Sequence, residues 1–114
     1  MKITGFRIGL VSARLRVPFK TALRTVDSVE DVIVELETST GQIGRGEAPP
    51  TAAITGETLD SIIAALRDHI CPKLVGRDIS DFEELQSTVQ TAIVGNSSAK
   101  AAADIALWDL YAQC

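Results

Sequence analysis

Arginine is the side chain best suited to two-point capture of a carboxylate, because its planar guanidinium offers paired N–H donors. Arg24 lies in the stretch Pro18-Phe19-Lys20-Thr21-Ala22-Leu23-Arg24-Thr25-Val26-Asp27, with Lys20 four residues away and hydroxyls on Thr21, Thr25 and Ser28. Phe19 and Leu23 would anchor such a stretch by apolar contact. On these residues alone, a carboxylate-binding loop and a solvated loop charge both remain open.

Other residues of chemical interest fall into simpler roles. Gly44-Arg45-Gly46-Glu47 lacks the third glycine of a phosphate loop and runs into Pro49-Pro50 instead of a helix N-terminus. Its glycines are better explained by a second backbone packing close by. Glu47, at the end of a strand, reads as a solvated or interface carboxylate in preference to a catalytic one. His69, the single histidine, falls in the last turn of a helix, where a cation suits the dipole, and it has no nucleophile or acid partner nearby. Cys71 precedes Pro72 and reads as a small apolar group, and Trp108 reads as core. Asp104 and Asp109 are separated by roughly 500° of helical rotation, too far round to share a metal. There is no nucleophile–base pair, no metal triad and no phosphate cradle. These 114 residues on their own are not expected to be an enzyme, and no catalytic or metal-ligating residue is assigned.

The elements that would carry these residues divide near position 52. Residues 3–17 read as extended, with apolar side chains on even positions to Leu10 and on odd positions from Ala13, a phase change that predicts a bulge near Val11-Ser12. Residues 18–27, led by a proline and lacking alternation, are expected to form an ordered loop. Alternation returns from Ser28 to Glu37, with Val32, Val34 and Leu36 inward. Thr38-Ser39-Thr40-Gly41 then forms a hairpin turn, and Gln42 to Ala48 a third strand ended by Pro49-Pro50.

Three helices are predicted behind the strands. The first carries Leu59, Ile62, Ile63, Leu66 and Ile70, starts near Thr55 or Gly56 and stops at Pro72. The second opens with a capping box at Ser80-Asp81-Phe82-Glu83, presents Phe82, Leu85, Val89 and Ile93, and closes at Gly95. The third, capped by Asn96 or Ser97, has almost no polar face from Ala99 to Ala112, a pattern expected of a helix buried on all sides. A domain of this size has little with which to surround it, so the helix looks cut off from something larger.

Composition narrows the function classes. Apolar residues are 46% and charged residues 23% of the chain, which fits one folded domain with a core of its own. Net charge is −4 with both signs interspersed, which argues against a nucleic-acid or anionic-membrane surface. No apolar run approaches the roughly 20 residues of a membrane span, and the N-terminus has no signal-peptide pattern. Two cysteines cannot make a disulfide framework, so a cytoplasmic location is expected.

The order of pieces resembles the N-terminal capping domain of the enolase superfamily, in its muconate-lactonizing subgroup. The likeness rests on the meander, on Gly44-Arg45-Gly46-Glu47-Ala48-Pro49-Pro50, on Asn96-Ser97-Ser98-Ala99-Lys100-Ala101-Ala102, and on Asp104-Ile105-Ala106-Leu107-Trp108-Asp109-Leu110. Residues 18–26, with Pro49-Pro50-Thr51 and Ile54-Thr55-Gly56-Glu57-Thr58, further resemble the dipeptide epimerases that act on L-Ala-D/L-Glu in murein peptide recycling. The resemblance implies an α+β fold over residues 1–114: a three-stranded antiparallel meander with specificity loops in 1–52, then three helices in 53–114. It also implies that Arg24 binds the substrate's glutamate side-chain carboxylate, with apolar contacts from Phe19 and Ile54.

In that family a (β/α)7β barrel follows the cap. The barrel carries two lysines on opposite faces of the substrate α-carbon and three acidic ligands for Mg²⁺. Mg²⁺ is therefore expected in the complete enzyme and not in this chain. The expected partners are the chain's own C-terminal barrel, a small dipeptide and, when complete, further copies of itself; the barrel would also cover the apolar last helix. Glu47 and the Pro49-Pro50 corner would face the barrel mouth. Muconate cycloisomerase, o-succinylbenzoate synthase, N-succinylamino acid racemase and a non-catalytic interaction module are the alternatives.

Overall fold

The computed structural model describes the backbone of residues 1–20, 25–49 and 57–113, and the side chains of 1–11, 31–49 and 57–113. Three antiparallel strands, β1 (Ile3–Lys20), β2 (Thr25–Thr38) and β3 (Ile43–Ala48), form a sheet in the order β1-β2-β3. Three helices follow: α1 (Leu59–Ala64), α2 (Phe82–Thr91) and α3 (Ser97–Ala112). The α+β meander-and-helices architecture is therefore the one the sequence implies. The boundary drawn near residue 52 lies outside the described residues.

Alternation in β2 sets the inner face. Val32, Val34 and Leu36 are fully buried, and each heads a row across the sheet. Leu36 pairs with Phe6 and Gly44, Val34 with Ile8 and Gly46, and Val32 with Leu10 and Ala48. Each row ends on β3 in a residue with little or no side chain, which leaves a shallow trough. Helix α3 lies in it through a face of equally small residues, Ala99, Ala102, Ala103 and Ala106, with Leu107 and Leu110 beyond. A β-carbon added to Gly46 would collide with the Ala102 carbonyl, meeting its carbon at 2.8 Å, and one added to Gly44 would meet Leu110 Cγ at 2.5 Å. The close second backbone expected above the two glycines is thus α3.

Four local expectations are corrected. Residues 18–27 are not wholly a loop: β1 runs on to Lys20 and β2 begins at Thr25, with Phe19 opposite Val26. Pairing between the strands outweighs the missing alternation. No bulge occurs at Val11-Ser12, where pairing with Asp31 and Glu30 is continuous; the register shifts lie between Ile3 and Gly5 and between Arg14 and Phe19. Pro72 does not stop the first helical run, which passes from α1 through a π-helical turn (Ala65–Ile70) into a 3-10 turn (Cys71–Lys73). Pro72 sits near the start of that last turn, where its missing N–H costs little.

The fourth correction concerns caps. The capping box is at Thr58, not Ser80: Ser61 N–H donates to Thr58 Oγ1 at 3.1 Å, and Thr58 N–H donates to Ser61 Oγ at 2.8 Å. At α2 the N-cap is Asp81, with no side-chain cap bond, while Ser80 N–H donates instead to Asp78 Oδ1 at 2.9 Å. Helix α2 also ends at Thr91, so Ile93 packs against the core from outside the helix, and Gly95 takes its positive φ of 65° in the following turn. Thr55 and Gly56 lie outside the described residues.

Because the α3–β3 contact is backbone on backbone, it cannot relax by moving a side chain. Gly46→Ala is expected to cost about 3 kcal/mol of stability. Gly9→Ala, where nothing lies within 4 Å, should change it by less than about 0.5 kcal/mol. Urea unfolding of the two variants beside the parent protein measures the contrast.

Candidate functional site

The strands bring Lys20, Thr25, Ala48 and the α3 N-terminus to one end of the molecule. Strand β3 pairs only with Val32–Glu37, so the Thr25–Asp31 part of β2 pairs with β1 alone and projects as a two-stranded ribbon. Lys20 and Thr25 are partners across its far end, which brings both flanks of residues 21–24 together there. Strand β3 runs toward the same end and finishes at Ala48, opposite Val32. Helix α3 runs antiparallel to β3, with Ala106 over Gly44 and Ala102 over Gly46, so its N-terminus is directed to that end too.

Of the proposed substrate contacts, Phe19 is placed in β1 opposite Val26, with its side chain outside the described part. Arg24 and Ile54 lie outside the described residues altogether. Glu47 is exposed opposite Ile33, on the sheet face away from the helices.

A residue that sequence reasoning missed completes this end of the molecule. Asn96, at the N-cap of α3, is left-handed (φ 55°), makes no side-chain cap bond, and donates from its Nδ2 to Val94 O at 2.9 Å. The cap comes from Glu57, which is only 6% exposed. Ser98 N–H donates to its two carboxylate oxygens at 2.9 and 3.1 Å, Ala99 N–H at 3.4 Å and Ser97 Oγ–H at 3.4 Å. Charge and dipole are well matched here, since a carboxylate favours the positive end of a helix. Nothing local marks Glu57 as the cap of α3, because the α3 groups it meets lie 40 or more residues away.

The remaining titratable groups are scattered. Burial pushes the Cys71 thiol up to about 12, which keeps it a neutral packing group. The Asp68 carboxyl is held below its usual range by hydrogen bonds from Arg67, on the protein surface. Hydrogen bonds from Ser80, with help from the N-terminal ammonium 3.7 Å away, lower that of Asp78. Asp104 accepts from Gln86 Nε2 at 3.1 Å, while Asp109 accepts from Arg45 N–H at 2.9 Å, so each has its own partner. Among the described residues no three His, Cys, Asp or Glu side chains are placed to hold a metal ion. These residues do not fit a Mg²⁺ site, and no chemical step is assigned to a metal here.

Helix α3 leaves apolar side chains open, as expected of a helix that this domain is too small to surround: Ala101, Ile105, Trp108, Tyr111 and Ala112 are exposed among the described residues. The reading of Trp108 as core needs revision. Trp108 is 51% exposed and so not core; it packs edge-on against Phe82 with ring centres 4.6 Å apart. Helix α3 therefore has two apolar faces, one seated on β3 and one open. No helix among the described residues is long and apolar enough to cross a membrane.

Residues 3–114 match the family model described as the mandelate racemase/muconate lactonizing enzyme N-terminal domain. The chain belongs to this family. An L-Ala-D/L-Glu epimerase from Clostridium acetobutylicum is 49% identical over 113 residues, covering 99% of this chain and 32% of that protein. A substrate-liganded structure of the L-Ala-D/L-Glu epimerase from Bacillus subtilis superposes with a TM-score of 0.96 at 43% identity, over 99% of this chain and 32% of that one. A dipeptide epimerase from Methylococcus capsulatus, complexed with Mg and the dipeptide L-Arg-D-Lys, gives a TM-score of 0.92 at 36% identity, covering all of this chain and 32% of that one. This mandelate racemase/muconate lactonizing N-terminal domain thus spans about a third of its relatives' length.

The buried thiol gives a pH signature of the domain's core. Unfolded, Cys71 ionises near its ordinary 9.0; folded, it keeps its proton to about 12. Its burial therefore adds stability below pH 9 that is lost as pH rises from 9 to 12. Thermal melts across that window should fall more steeply for the parent protein than for Cys71→Ala.

Proposed function

We propose that the chain is the capping and substrate-specificity domain of a Mg²⁺-dependent dipeptide epimerase acting on L-Ala-D/L-Glu. One observation carries the reading: 49% identity across essentially the whole domain to a protein named for that activity. The activity is that of the whole protein, since relatives of this name are about three times as long. In this reading a C-terminal barrel provides the two lysines and the metal ligands, and the cap selects the substrate. The complete protein is cytoplasmic, assembles with further copies of itself and recycles murein peptides.

Arg24 binds the carboxylate of the substrate's glutamate side chain, and Phe19 and Ile54 make apolar contacts. The topology supports this division of labour. The ribbon holding residues 21–24 and the end of β3 leading into residues 50–56 leave the sheet at one end. Two segments that contact one small ligand must start from neighbouring points, and the described flanks at Lys20, Thr25 and Ala48 lie at that one end. The open face of α3, with Ile105 and Trp108 about half exposed, supports a further domain packed against the cap.

Arg24→Ala in the complete protein is expected to lower kcat/KM for L-Ala-L-Glu by roughly 10- to 150-fold, the loss of one charge-assisted contact. A dipeptide with a neutral second residue should be affected far less. Equal loss on both substrates would remove Arg24 from the specificity role. Preference of the parent enzyme for a succinylated amino acid or a muconate over every dipeptide would remove the epimerase reading itself.

A further inference from the structure

The two edges of the sheet differ. On β3, Arg45 N–H donates to Asp109 at 2.9 Å and Gln113 Nε2 donates to the Ile43 carbonyl at 3.0 Å, so Ile43 and Arg45 face outward and that edge is occupied. In an antiparallel strand a residue turns its N–H and C=O to one side, and the side alternates along the chain. Gly44, Gly46 and Ala48 therefore bond to Leu36, Val34 and Val32. The β1 partners of those three, Phe6, Ile8 and Leu10, are left with their backbone groups turned away from β2. Pairing is continuous to Arg14, so Ser12 faces the same way. Only the start of this outer edge is covered: Ile3 N–H donates to Arg77 O at 2.8 Å, and Gly76 N–H to Ile3 O at 2.7 Å. From Phe6 to Ser12 no backbone partner meets it among the described residues.

The side chains along this edge fit a strand. Leu10 is 59% exposed and Val11 47%. On the helix side, Phe6, Ile8 and Leu10 line a cavity of about 510 Å³ with Ile63 of α1 and with Arg67. On the other side stands Arg7, exposed and paired with Glu37. A strand laid here would alternate apolar residues toward Ile63 with polar or acidic ones toward Arg7. The strands of this chain do not supply it. Strand β2 is central, and the outer edge of β3 is occupied. Strand β1 carries Arg7, Arg14, Arg16 and Lys20 and no acid, so a second β1 laid against it would bring like charges together.

We propose that the edge of β1 from Phe6 to Ser12 takes up a fourth strand from the part of the complete protein outside these 114 residues. The proposal rests on the reading of this chain as one domain of a longer protein, as in relatives about three times its length. A segment tethered in the same polypeptide meets the edge at an effective concentration on the order of millimolar, ahead of any free partner. The added strand closes an edge that would otherwise template association with other chains.

Residue-resolved hydrogen exchange on the complete protein tests this. The amides of Arg7, Gly9 and Val11 point to β2 and are slow in either case. Those of Phe6, Ile8, Leu10 and Ser12 are expected to exchange at least about 100-fold more slowly than in an unstructured peptide, unchanged by dilution of the protein about 100-fold. Outward amides within about tenfold of the unstructured rate, giving fast and slow residues in alternation, would overturn the proposal. Protection lost on dilution would assign the strand to a second copy and overturn it as well. Leu10→Pro removes one outward N–H and leaves the ladder with β2 whole. It should speed exchange at Ile8 and Ser12 by about tenfold or more while Gly9 and Val11 stay slow. Unchanged protection at Ile8 and Ser12 would mean burial without strand pairing, which also overturns the proposal. If Leu10→Pro does not fold, the pattern in the parent protein decides. A native polypeptide of only 114 residues would overturn the longer-protein reading first, a result distinct from any of these.

Discussion

Where α3 crosses β3, the Ala102 and Ala106 peptide groups lie so close to Gly46 and Gly44 that no β-carbon fits between them. Most of the domain's arrangement follows from that approach. It requires the β3 ends of the cross-sheet rows to be glycine or alanine, and it requires alanines on the facing side of the helix. It also brings Asp109 and Gln113 within reach of the outer edge of β3, where Arg45 N–H donates to Asp109 and Gln113 Nε2 donates to the Ile43 carbonyl. Backbone groups that a strand edge would leave open are thereby occupied, which protects that edge against pairing with another chain.

The same contact sets the direction of α3. Because α3 is antiparallel to β3, its N-terminus points to the end where β3 finishes and where the β1–β2 ribbon projects. A helix N-terminus at that end needs acceptors for its first N–H groups, and the Asn96 side chain provides none. Glu57 fills the role from just ahead of α1.

Helix α3, apolar as it is, leaves Ile105, Trp108 and Tyr111 in the open. Relatives of this domain are about three times its length, and a face of this kind is suited to further protein. Among the described residues Arg45 pairs with Glu35 and Arg7 with Glu37, and the buried Cys71 thiol is held neutral.

The sequence by itself determined the strand order, the inward row Val32, Val34 and Leu36, and the two glycines under a close backbone. Each is written in local periodicity or in a residue type with one strong physical meaning. Arg24, Phe19 and Ile54 were legible as candidates only through motif resemblance, because a lone arginine in a loop has no local signature of a ligand. Tertiary structure alone decided the rest. Pairing of Phe19 with Val26 carried β1 through a segment without alternation, since cross-strand hydrogen bonds do not depend on side-chain pattern. Trp108 is exposed because α3 can bury only one side against a sheet this narrow, whatever its composition. Glu57 became the cap of α3 through a contact spanning 40 residues, and no local reading of the chain can show which distant carboxylate a helix end will meet.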